Sequence, residues 1–148
     1  APKVYNILFV DEDNSCQSQI AEAIARKNFP ESGNYSSAGR QPAGELNPAM
    51  EKFLDSRGTG LAVDARPSPL DLTPLELTRQ HVIVSLQGPV ASYFDQVPFH
   101  TTPLEWDIAP APAQDDSAAV EAWLEEIYRD MAVQIRDLME LLRGEGAP

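Results

Sequence analysis

Eight consecutive residues hold most of the chemistry legible in this chain: Asp11, Glu12, Asp13, Asn14, Ser15, Cys16, Gln17 and Ser18. Adjoining carboxylates can supply a nucleophile, or ligands for a hard divalent cation such as magnesium. They can also simply favour the positive end of a following helix and face water. Cys16 is the one cysteine in 148 residues, so no internal disulfide can form. Gln17 beside it offers no cation to ionise the thiol, which then reads as a small residue packing the first turn of a helix. His81 and His100 stand apart with no cysteine or histidine beside either, which excludes a zinc motif.

The elements around this segment can be read from hydrophobic pattern. Val4 to Val10 is a continuous apolar, β-branched and aromatic run, the signature of a strand buried on both faces. After the polar segment, Ile20, Ala21, Ala23, Ile24 and Ala25 recur with helical spacing, and Arg26 and Lys27 suit the helix C-terminus. Tyr35 to Ala38 predicts a short strand, and Asn47 followed by Pro48 predicts a capped helix that Gly58 closes. Leu61 to Val63 predicts an edge element. Thr73 and Pro74 repeat the cap, His81 to Leu86 is a second buried strand, and Thr101 to Trp106 a last short one. From Ser117 to Gly144 an apolar stripe through Trp123, Ile127, Met131, Ile135 and Leu138 predicts one long terminal helix. Strands alternating with helices predict an α/β three-layer sandwich around a mostly parallel sheet of four or five strands, forming a single domain over 1–148. Ligands in such sheets bind at the carboxyl ends of the strands, which places a binding loop at residues 11–18.

At this point a resemblance becomes specific. The stretch ILFVDEDNSCQSQIAEAIARK resembles the phosphate-binding loop and first helix of low-molecular-weight protein tyrosine phosphatases and thioredoxin-coupled arsenate reductases, whose pattern is a strand, C-x-G-N-x-C-R-S, and a helix opening with A-E. Asn14, Cys16, Ser18, Ala21 and Glu22 match it. YSSAG at 35–39, the Asn47-Pro48 helix start, the stretch from Gly58 to Pro67, HVIVS and Trp106-Asp107-Ile108 match further motifs in order, over about residues 4 to 143. The departures from the pattern fall on the chemistry. Asp11 stands where the resemblance implies a nucleophilic cysteine, Asp13 where it implies a glycine, and Gln17 where it implies a phosphate-gripping arginine. The general acid implied is an aspartate before proline, but Pro110 follows Ala109; Asp107 is near enough in sequence to be a displaced substitute, although a shift of one or two residues usually aims a carboxylate elsewhere. A carboxylate about 4 Å from a bound anion repels it by roughly 4 kcal/mol at an effective dielectric near 20.

These departures predict a catalytically inactive, phosphatase-like binding or regulatory module, degenerate at Asp11 and Gln17, with a protein partner presenting a basic group to the acidic loop. The alternative is a divergent hydrolase or phosphotransfer domain using Asp11, Asp13 and Asp107, with a divalent metal. No cofactor or metal is expected on the leading reading; magnesium on Asp11 and Asp13 belongs to the alternative. Receiver domains and haloacid-dehalogenase-like phosphatases also place acids after a first strand. Both need a later cation near the phosphate, however, and no lysine follows Lys52. A net charge of -12 disfavours nucleic acid and anionic membranes as partners. The lone cysteine and the lack of a secretory N-terminal pattern or an apolar run of about 20 residues predict a soluble, cytoplasmic protein. The sequence sets no oligomeric state.

Overall fold

The structure, a computed structural model, describes residues 3–146. Its centre is a four-stranded sheet in the order β2-β1-β3-β4, with β1 at Tyr5–Asp11, β2 at Gly33–Gly39, β3 at Val82–Ser85 and β4 at Thr102–Glu105. Every pairing is parallel, and the register sets Asp11 opposite Gly39 and Val10 opposite Ser85. Parallel neighbours require crossovers, and here these coat both faces of the sheet. On one face α1 (Gln17–Asn28), α2 (Pro48–Ser56) and α4 (Ser117–Gly146) enclose a core built on Ile7, Phe9, Ile20, Ile24, Met50, Leu124, Ile127 and Met131. On the other, α3 (Pro74–Thr78) and the turn at Val90–Ser92 belong to the segments covering Leu8, Val10 and Ile83. The sheet therefore buries both faces of β1 and β3, which is why their sequences read as unbroken apolar runs.

Both predicted proline-led caps form. Asn47 accepts hydrogen bonds from the amides of Ala49 and Met50, and Thr73 accepts one from the amide of Glu76. Each satisfies donors that the first helical turn leaves open. Asn47→Ala is expected to cost about 1 kcal/mol, measured as a lower urea midpoint at unchanged slope.

The predicted edge element at Leu61 to Val63 does not form. Val63 is fully exposed and the stretch pairs with no strand. What lies beside β2 is the proline-rich segment that follows: Gly39 donates to the Ser68 carbonyl, and Leu70 donates back to the Gly39 carbonyl.

The strand order reverses between β1 and β3, since the chain leaves β1 for β2 on one side and returns to β3 on the other. That reversal opens a crevice at the carboxyl ends of β1 and β3. The loop from Asp11 to Ser18 and the turn at Leu86 to Gly88 meet there, where the Glu12 amide donates to the Gln87 side-chain oxygen at 2.8 Å.

Candidate active site

Asp11 is the last residue of β1, and its side chain turns inward under the loop that follows, fully buried. The amide of Asn14 donates to one carboxylate oxygen at 2.8 Å and the amide of Ser18 to the other at 2.9 Å. Loop amides that converge at the start of a helix form an anion cradle, and here they converge on an anion of the chain itself. Burial pushes the Asp11 carboxyl above its ordinary range. The Ser18 and Asn14 hydrogen bonds oppose this, and the nearby Asp13 charge adds to it.

Asn14 holds the loop in shape. It is buried with φ of 54°, a left-handed conformation that asparagine tolerates better than most side chains. Its amide nitrogen donates to the Ser18 hydroxyl at 2.7 Å, and its side-chain oxygen accepts from Gln19 at 3.0 Å and from the Ser68 amide at 2.8 Å. The chain after β2 clamps the loop from outside, as the amides of Arg40, Gln41 and Ala43 donate to the carbonyls of Asp11, Glu12 and Asp13.

The other two acids point elsewhere. Asp13 folds back onto the amide and hydroxyl of Ser15, at 3.0 and 2.8 Å. Glu12 pairs with Arg40 at the loop's outer edge. Of the three acids Asp11 alone lies inside the cradle, and each has its own donors. Arg40 supplies a positive charge toward Glu12 from within the chain. Arg40 was missed because nothing local marks it; its place directly after YSSAG, beside the loop, was the available signal. As for metal, Asp11 and Asp13 direct oxygens to amides and a hydroxyl, and no cluster of three or more His, Cys, Asp or Glu residues forms among the described residues.

Cys16 is buried at the N-cap of α1 without a capping side-chain hydrogen bond. Burial and the charges of Asp11 and Asp13 push its thiol strongly upward, which disfavours the thiolate form. Gln17 opens α1 and is buried. The amides of Asp13 and Cys16 make no hydrogen bond among the described residues.

Beside the loop lies a cleft of about 550 Å³ between the turn after β3 and the segment after β4, lined by Leu86, Gln87, Gly88, Glu105, Trp106, Asp107, Ile108 and Pro110. Trp106 anchors one wall against Phe9, and the Trp123 indole N–H holds the Ala109 carbonyl at 2.8 Å. The segment carrying Asp107 is therefore fixed by core contacts, and the exposed Asp107 faces the same cleft as Gln87, the residue that touches the loop.

Comparison with known proteins agrees with this geometry. Residues 6–102 match the family described as low molecular weight phosphotyrosine protein phosphatase. An arsenate reductase of Bacillus licheniformis is 30% identical over 117 residues, 79% of this chain and 81% of that protein. An arsenate reductase of Shouchella clausii is 26% identical, over 90% of this chain and 94% of that protein. Among solved structures, a thioredoxin-dependent arsenate reductase of Corynebacterium glutamicum superposes with a TM-score of 0.72 at 24% identity, over 98% of this chain and 65% of that one. These names correct the expectation of a catalytically inactive binding or regulatory module. The relatives are named as enzymes, and nothing in the fold marks inactivity or a binding role. From its sheet topology, its loop and these matches together, the chain belongs to the low molecular weight phosphotyrosine protein phosphatase family.

Proposed function

We propose that the chain is a phosphoryl-transfer enzyme in which the Asp11 carboxylate is the nucleophile and a phosphate monoester is the substrate. The observation that carries this reading is the placement of Asp11 at the end of the central strand, held by the amides of Asn14 and Ser18. The relatives' enzyme names support a reactive centre, and the single cysteine, buried at the N-cap of α1, leaves no exposed thiol to act as one. Asp11 is the nucleophilic group the loop offers instead.

In this mechanism the entering phosphoryl group takes over one of the two amides on Asp11 and frees a carboxylate oxygen. That oxygen attacks phosphorus, and the bond from phosphorus to the leaving oxygen breaks. Asp107, on the cleft wall, gives its proton to the leaving oxygen. Water then attacks phosphorus in the acyl phosphate while the Asp107 carboxylate accepts its proton, releasing phosphate and regenerating Asp11. No helix among the described residues is long and apolar enough to cross a membrane, and the lone free thiol fits a reducing, cytoplasmic setting.

An acyl phosphate reacts with hydroxylamine, which makes the intermediate visible. Quenching the protein with hydroxylamine during turnover of p-nitrophenyl phosphate is expected to leave a hydroxamate at residue 11, located by peptide mass spectrometry. Absence of that adduct, with turnover no greater than in the Asp11→Asn variant, overturns the proposal.

A further inference from the structure

We propose that Arg40 is the cation that receives the substrate's phosphate oxygens at this site, a role that rests on the phosphoryl-transfer reading above. The cradle needs a full positive charge, because amide dipoles alone do not offset a dianion beside the Asp11 carboxylate, and position 17 holds a neutral glutamine. Arg40 meets the geometric requirement. It follows β2 directly, and because Asp11 and Gly39 are register partners it emerges beside the first loop residues, its own amide 3.1 Å from the Asp11 carbonyl.

The guanidinium is held at the loop's rim from three sides. Nε and Nη2 both donate to the same Glu12 oxygen, at 3.0 and 2.5 Å, Nη1 donates to the Ser92 carbonyl at 3.1 Å, and the group lies 5.3 Å over the Tyr93 ring. A guanidinium has five N–H donors, of which these contacts use three. The Tyr93 hydroxyl in turn donates to the Gln87 carbonyl at 2.6 Å, and the Gln87 side chain accepts from the Glu12 amide, which ties the guanidinium's platform to the loop. Glu12 engages through a single oxygen, and the pair is close to half exposed on both sides. Such a contact is weak and screened by solvent, whereas a phosphate dianion offers several oxygens to the same fork. Glu12 thus occupies Arg40 until a dianion displaces it.

Binding can be separated from turnover in the Asp11→Asn background, which removes the internal negative charge. Inorganic phosphate titrated by calorimetry into Asp11→Asn should bind. Adding Arg40→Gln should weaken it about tenfold or more, with Arg40→Lys falling between. Adding Glu12→Gln should tighten binding several-fold, because Arg40 loses its competitor; a pair that only propped the loop would give weaker binding. Unchanged affinity in Arg40→Gln, weaker or equal affinity in Glu12→Gln, or no phosphate binding by folded Asp11→Asn overturns the proposal. Arg40-dependent binding without any hydroxamate at Asp11 would sink the nucleophile reading and leave Arg40 standing.

Discussion

Asp11→Asn is expected to lower turnover of an aryl phosphate by on the order of 10³-fold or more, because the amide that replaces the carboxylate cannot form the acyl phosphate. A pH series makes the test sharper. The Asp11 carboxyl is raised above the ordinary aspartate value of 3.8, chiefly by burial, so folding favours its protonated form. A raised acid contributes stability that is fully present below the unfolded pKa and is lost as pH rises through the folded pKa. The native protein should therefore gain stability relative to Asp11→Asn on acidification, and the gain should fade on the way to neutrality. Subtracting one melting curve from the other cancels most of the titrations that the two chains share. Activity must move the opposite way, since only the ionised carboxylate attacks, so kcat/KM should climb along an acid limb whose midpoint lies above 3.8. A stability difference that is flat from about pH 3 to pH 6 would refute the buried, raised carboxyl.

The second large effect lies at Gly39, where the sheet presses on the loop. A β-carbon there would stand 2.7 Å from the Asn14 amide nitrogen and 2.7 Å from the Asp13 carbonyl carbon. Both are backbone atoms, clamped by the Arg40 and Ala43 amides on one side and by Ser68 and Leu70 pairing with Gly39 on the other. With no flexible side chain to move aside, the loop must shift, and the Asn14 contact with Asp11 goes with it. Gly39→Ala should cost about 2 to 3 kcal/mol, the upper part of the overpacking range, and lower Tm by roughly 5 to 10 °C. Gly44→Ala is the control, because nothing lies within 4 Å of a β-carbon at that position. Equal melting temperatures for the two variants would show that the loop yields without cost.

The two expectations differ in how much of their basis the sequence carried. The strands β1 and β3 were legible because burial on both faces writes itself as an apolar run, and the caps at Asn47 and Thr73 because a side-chain acceptor before proline has few other uses. Leu61 to Val63 misled because short apolar content satisfies a strand pattern without supplying a partner, while the true neighbour of β2 at Ser68 to Leu70 was hidden among prolines. The loop was found by its place after a buried strand, but the destinations of its acids were not. Consecutive carboxylates look alike in sequence, and what separates them is tertiary: two amides for Asp11, one turn for Asp13, and for Glu12 an arginine 28 residues away. Gly39 is likewise ordinary in sequence, and only the packed sheet shows that its missing side chain is where the loop lies.

The burial of Cys16 has a bearing on how this protein meets oxidants. Peroxide and electrophiles attack thiolate, and a thiol pushed upward and shut from solvent presents little of it. A centre whose reactive atom is a carboxylate oxygen has no sulfenic or sulfonic state to fall into. Its chemistry would run without added reductant and continue through an oxidative burst that silences a sulfur-based site.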